Sequence, residues 1–174
     1  MELSSMQTLF VHELRDLYDA ENQLVMALPK MAEAATNIDL KDAFRTHLQE
    51  TTNQVARLNR IFQGLGIPPS GMRCDAMEGL ITEGEKIIRV PGDPDVKDAA
   101  LIGAAQRVEH YEISAYGTAR AHAKLLDYVD AADLLKESLS EESKADDKLN
   151  KIAEGGLFTT GINKEATKEA TRVY

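Results

Sequence analysis

The chain has 174 residues, 43% of them hydrophobic, with no tryptophan and 29 acidic against 20 basic side chains, a formal net charge of −9. That length bounds a single domain with one sizeable core, and the acidic balance, with no run of Lys or Arg longer than a pair, argues against a nucleic-acid or anionic-membrane partner. The lone cysteine, Cys74, excludes an intrachain disulfide, the first residues lack the basic start and apolar run of a secretion signal, and no stretch approaches the roughly 20 apolar residues of a membrane span, so a cytoplasmic protein is expected.

The abundance of Ala, Leu, Glu and Lys favours helices throughout. The first helix is expected over about 4–36, opened by a capping box of Ser4 with Gln7 and kinked or broken at Pro29, which removes an amide donor and crowds the carbonyl of Val25. A second helix over about 39–63 stops at "GLGIPPSG", where glycine and proline disfavour continuation. A short amphipathic helix over about 75–89 is expected to be capped by Asp75 with Glu78. In "VPGDPD", Asp93 before Pro94 reads as a cap followed by proline at the first helical position, opening a third long helix to about 127. The fourth spans about 131–154 and ends at "EGG"; the tail 155–174 is expected to wrap or fray.

Four long helices with about 30 residues between the second and third predict an all-α, ferritin-like four-helix bundle: two antiparallel hairpins joined by a long crossover that carries the short helix. An internal echo fits two hairpins, since "LQETTNQVARLNRI" laid on "LSEESKADDKLNKI" matches Leu48 with Leu139, Glu50 with Glu141 and Ile61 with Ile152.

The inner faces carry acids. In the third long helix Ile102, Ala105, Glu109, Glu112, Tyr116 and Ala119 follow at steps of three and four, so two carboxylates share an otherwise apolar stripe. The first helix reads Leu14, Tyr18, Glu21, Val25, Leu28, and the fourth Leu135, Leu139, Glu142, Asp146, Leu149. In the second the most apolar line is Phe44, Leu48, Val55, Leu58, Phe62, with Ala43, His47, Glu50, Gln54 and Ile61 beside it. Taken singly each residue has a plainer reading. Glu21 pairs with an arginine or solvent, Glu109 and Glu112 face Arg107 or Arg120, His47 and His110 are hydrogen-bonded helix residues, and Tyr18 and Tyr116 are core aromatics. A buried unpaired carboxylate costs several kcal/mol, and clustered carboxylates repel; bound metal removes both penalties, and an acid on the inner face of all four helices is the layout of dinuclear carboxylate bundles.

The strings "HELRDLYDAENQL", "HLQETTNQVARL", "AMEGLI", "DAALIGAAQRVEHYEISAYGTA" and "LLKESLSEESKADDKL" resemble the ferritin-like YciE/YciF proteins of bacteria, a stress-associated family, over nearly the whole chain. The resemblance implies a ferritin-like bundle with an added short helix, a homodimer, and metal positions at Glu21 in "DAENQL", Glu50 and Gln54 in "ETTNQ", Glu109 and Glu112 in "EHYE", and Glu142 and Asp146 in "EESKAD". Asn53 and Ala145 stand where the usual ferritin pattern has a histidine three residues after the glutamate, which leaves an oxygen-dominated donor set suited to two iron ions, or to manganese. The echo favours Glu141 in the fourth helix and the stripe favours Glu142; Glu142 is adopted. On this reading Glu21 and Glu112 are terminal ligands, Glu50 and Glu142 bridge, Gln54 and Asp146 complete the ends, Glu109 binds metal or accepts a proton, and Tyr18, His47 and His110 orient the carboxylates through hydrogen bonds. Redox, peroxide-handling and storage roles all fit such a centre. The alternative is a dimeric, non-enzymatic scaffold or stress protein without a functional centre.

Overall fold

A computed structural model of the chain describes residues 4–69, 71–156 and 159–170. It is all-α, with α1 (Met6–Ala34), α2 (Ile38–Leu65), α3 (Asp75–Arg89), α4 (Pro94–Leu125), α5 (Val129–Glu154) and α6 (Ile162–Ala170). The one β feature among the described residues is an isolated bridge between Gly155 and Thr160.

Local chemistry sets the helix ends. The box that opens α1 lies one residue past the expected Ser4: the Ser5 hydroxyl accepts from the Thr8 amide at 3.1 Å, and the Thr8 hydroxyl accepts from the Ser5 amide at 2.9 Å. Pro29 does not break α1, which continues to Ala34; the ring sits on the exposed face, where packing of Leu24, Leu28 and Ala32 on the opposite side outweighs one lost hydrogen bond. Asn37 caps α2 through its side chain, and Gly66, left-handed at φ 69°, closes it. Cys74, rather than Asp75, caps α3, its buried sulfur accepting from the Met77 amide at 3.4 Å. Asp93 caps α4 ahead of Pro94, accepting from the amides of Asp95 and Val96.

In the bundle α1 packs on α2 and α4, and α5 on α2 and α4, so the four long helices close a ring, with α3 laid across α1 and α4 and α6 across α4 and α5. One core cluster joins the start of α1 (Phe10, Leu14, Leu17) to the ends of α2 and α4 and the start of α5 (Phe62, Ala123, Ala131). The other joins the end of α1 (Leu28, Ala32) to the starts of α2 and α4 (Leu40, Leu101), the end of α5 (Leu149, Ala153) and α3 (Met77). Every neighbouring pair of long helices is therefore antiparallel, and the crossover runs the length of the bundle. The tail neither frays at once nor stays extended. Gly155 at φ 83° and Gly161 let the backbone fold back so tightly that a Cβ on either would lie within 2.4 Å of the other strand of chain, and α6 then docks through Ile162. Residues 157–158 and 171–174 of that tail lie outside the described residues.

The α1–α2 turn is tied to α4 by Asp98, a fully buried carboxylate that accepts from the Thr36 amide at 2.9 Å, the Thr36 hydroxyl at 2.7 Å and the Asn37 amide at 2.7 Å. Nothing in the sequence patterning singled it out. Asp98→Ala strands these donors and is expected to cost about 2–3 kcal/mol, read as a lower urea midpoint with unchanged slope.

Candidate metal centre

Between the two apolar clusters lies a polar layer. Glu21, Thr51, Gln54 and Glu112 are fully buried, as is Glu142, and Glu109 and His47 are 2% and 5% exposed. His47, Glu109, Glu112 and Glu142 each offer a donor atom within 4.8 Å of the others. His47 Nε2 stands 3.4 Å from Glu109 Oε2 and 3.6 Å from Glu142 Oε2, while its Nδ1 is 3.4 Å from Glu50 Oε2. The Tyr116 hydroxyl donates to Glu21, and the Gln54 amide donates to Glu142.

The layer is underpartnered. Eight buried polar atoms on its seven residues lack any hydrogen-bond partner: Glu21 Oε2, His47 Nε2, Thr51 Oγ1, Gln54 Oε1, Glu109 Oε2, both oxygens of Glu112, and Glu142 Oε2. Buried polar groups are otherwise satisfied in folded proteins, so such a convergence calls for a missing partner. A hard divalent or trivalent cation fits this donor set of oxygens with one imidazole nitrogen.

Electrostatics agree. Burial, reinforced by the neighbouring glutamates, pushes the carboxyls of Glu21 and Glu112 well above the usual range. Burial does the same to Glu109 against the opposing pull of His47, and Glu142 is raised by burial too. Burial disfavours the His47 imidazolium, yet Glu109, Glu50, Glu142 and Glu21 together outweigh it and push His47 up to about 10. Without metal His47 therefore keeps its proton at neutral pH, and the glutamates hold theirs to higher pH than free carboxyls do.

Of the residues expected from sequence, the structure brings together Glu21, Gln54, Glu109, Glu112 and Glu142. It adds His47 to their midst, where sequence reasoning had given that ring a supporting place. Glu50 lies at the edge, its side chain 33% exposed beside His47. Asp146 stands outside: Gln106 donates to it at 3.1 Å and Asn150 at 3.2 Å, and His110, 68% exposed, faces it from 3.7 Å. His110 follows Glu109 by one residue and so points about 100° away around the helix. Tyr18 packs edge-on against Phe62 rather than reaching a carboxylate. Glu141 is held at the margin by Arg57, whose guanidinium donates to both its oxygens at 2.6 and 2.7 Å, leaving Glu142 as the inward acid.

A second knot of side chains was not anticipated. Tyr111, between Glu109 and Glu112 in sequence, donates to Asp16 on α1 and lies 3.0 Å from the Cys74 sulfur, while the Cys74 amide donates to Asp19 at 2.8 Å. It clamps the crossover onto α1 and α4 and fixes the rotation of the helix that carries both glutamates. Cys74 is thus a buried cap and clamp at the edge of the loop before α3.

Compared with known proteins, residues 5–167 match the family described as a domain of unknown function, DUF892. Protein YciF of Escherichia coli (strain K12) is 43% identical over 171 residues, spanning 98% of this chain and the whole of that one. The crystal structure of the E. coli stress protein YciF superposes with a TM-score of 0.82 at 45% identity, covering 84% of this chain and 93% of that one. A dodecameric thioferritin, the bacterioferritin-related protein from Bacteroides fragilis, shares the fold with a TM-score of 0.65 at 14% identity, over 97% of this chain and 92% of its own.

Proposed function

The chain belongs to the DUF892 family, and from that premise we propose that it is a ferritin-like metal protein whose mid-bundle layer holds a dinuclear centre, of iron first and manganese second, serving metal handling or the response to oxidative stress. The observation that carries this reading is the set of eight unpartnered polar atoms converging from four helices. Glu21, Glu109, Glu112, Glu142 and His47 are the residues to hold the ions, with Gln54 Oε1 completing the set and Glu50 turning inward from the rim. Asp146 and His110 act, if at all, from outside the layer.

When bound, iron or manganese supplies redox and Lewis-acid chemistry. The protein's own residues do the rest. Tyr116 fixes the orientation of Glu21, Gln54 fixes that of Glu142, and Glu109 and His47, in ion-pair distance of each other, share a proton in the metal-free layer that metal would displace. The aliphatic clusters on either side of the layer close it off towards the two ends of the bundle.

The second reading is a homodimeric scaffold with no functional centre, and the feature favouring it is proton retention by the glutamates, which neutralises the layer without metal. Elemental analysis of protein reconstituted anaerobically with ferrous or manganous ion separates the two. About two ions per chain, with His47→Ala losing one or both, supports the centre; a metal-free protein after reconstitution assigns the chain to the scaffold reading.

A further inference from the structure

Two cavities reach the polar layer, and they differ in kind. One, of about 200 Å³, opens between α2 and α5; it is lined by His47, Glu50 and Glu109, with Lys144 and Lys148 at its mouth. Water, metal ions and hydrophilic peroxides have a wet path there. The other, of about 40 Å³, lies between α1, α3 and α4 and is apolar almost throughout, with Leu28, Met31 and Val108 among its walls. Its floor is Glu109, and Phe44 stands between the two cavities, lining both. Its outer margin carries Lys30 and Glu85, joined by a 2.8 Å ion pair that links α1 to α3.

Gly84 shows that the space is built in. It is a buried glycine in the interior of α3, where glycine is disfavoured. Its backbone is ordinary, and an added Cβ would meet nothing closer than the Met31 sulfur at 3.7 Å, a normal contact. Neither backbone conformation nor a close approach requires glycine there. What a larger side chain would do is fill the cavity.

We propose that this cavity, walled almost wholly by apolar side chains, is a binding site and passage for dioxygen, separate from the opening between α2 and α5, delivering it to the Glu109 side of the layer. The inference rests on the reading of the layer as a redox metal centre. The occupant follows from size and chemistry. Apolar walls favour an apolar occupant, and a cavity well below the roughly 150 Å³ that accepts benzene holds only a molecule of a few heavy atoms. Of such molecules, dioxygen is the apolar one that a ferrous centre consumes.

Xenon tests the cavity without any metal. Crystals of the full-length protein pressurised with xenon are expected to show an atom between Gly84, Met31 and Glu109, and its absence there overturns the proposal. Gly84→Leu tests the passage. In protein loaded anaerobically with ferrous ion, two ferrous ions give two electrons which, with two protons, reduce one dioxygen to one hydrogen peroxide. The variant should take up the same amount of metal, lose the xenon site, and react with dioxygen at least about tenfold more slowly, while added hydrogen peroxide, arriving by the wet opening, oxidises it at the wild-type rate. An unchanged rate with dioxygen, or equal slowing with both oxidants, overturns the passage. Should Gly84→Leu not fold, Ile81→Phe on the same wall of α3 serves in its place. Failure of the protein to load metal at all would count against the redox centre, whereas the xenon site reads the cavity independently.

Discussion

Glu112→Met is expected to make the metal-free protein more stable and to abolish metal loading. Glu112 is fully buried, neither of its carboxylate oxygens has a hydrogen-bond partner, and Glu21, Glu142 and Glu109 crowd it. The side chain pays desolvation whether it stays ionised among like charges or takes up a proton and leaves an unpaired hydroxyl. Methionine has nearly the same length and volume, adapts its shape, and has no polar group to strand. Replacing buried ionic groups with well-packed apolar ones is neutral or stabilising by about 1–4 kcal/mol, and each kcal/mol raises the melting temperature of a chain this long by roughly 2–4 °C. Metal loading should be lost in parallel, because Glu112 is one of the four donors gathered within 4.8 Å. Thermal melts of both proteins after exhaustive chelation, with metal analysis after reconstitution, check it. A lower melting temperature in the variant would mean that Glu112 has a stabilising partner in solution and that the layer is structural. Glu142→Ala shares the expected loss of loading, but it leaves a cavity and removes one of the two carboxylates to which the Gln54 amide donates, so its gain in stability should be smaller.

The sequence made some of this centre legible and blurred the rest, and the difference is one of helical phase. On α4 all six residues of the stripe from Ile102 to Ala119 are buried, because small alanines flank the acids and leave one choice of face. On α2 the expected apolar line is buried at Phe44, Leu58 and Phe62 but not at Leu48 and Val55. The buried line runs Leu40, Phe44, His47, Thr51, Gln54, Leu58, Ile61. His47 and Gln54, seven residues apart, differ by only about 20° around the helix, whereas Glu50 lies about 60° from His47. Sequence reading ranked the glutamate as ligand and the histidine as support, since it weighed acid type above phase. On α5 the buried line from Leu135 passes through Ser138 and Glu142 to Leu149, so Asp146 drifts off it and is taken by Gln106. The clamp of Tyr111, Asp16 and Cys74, and the capping carboxylate Asp98, join residues 37 to 95 positions apart, and no periodicity within one helix reports such pairings.

The protonation of the layer gives the remaining prediction its sign. A group whose folded-state pKa lies above its unfolded value contributes stability that is present below the unfolded value and lost as pH rises through the folded one. Glu21, Glu109, Glu112 and Glu142 are all raised from 4.5, and His47 is raised from 6.5 to about 10. Acids and base thus act in one direction: the native metal-free state holds more protons than the unfolded chain from about pH 4.5 upward, and its stability should fall continuously from pH 5 to pH 8. Each excess proton contributes a slope of about 1.4 kcal/mol per pH unit. Binding to metal demands ionised carboxylates and a neutral imidazole, so loading expels those protons and tightens as pH rises. The metal-loaded protein should accordingly show a flat or rising profile over the same range, and the difference in melting temperature between loaded and metal-free protein should widen toward pH 8. Calorimetric titration with metal at pH 7 in two buffers of different ionisation enthalpy should register proton release, and His47→Gln should release fewer protons than wild type. Melting curves with and without metal that coincide from pH 5 to 8 would mean that the glutamates on the α4 stripe are solvated or paired with arginine in solution. Opposed slopes require them to meet one another and the ion.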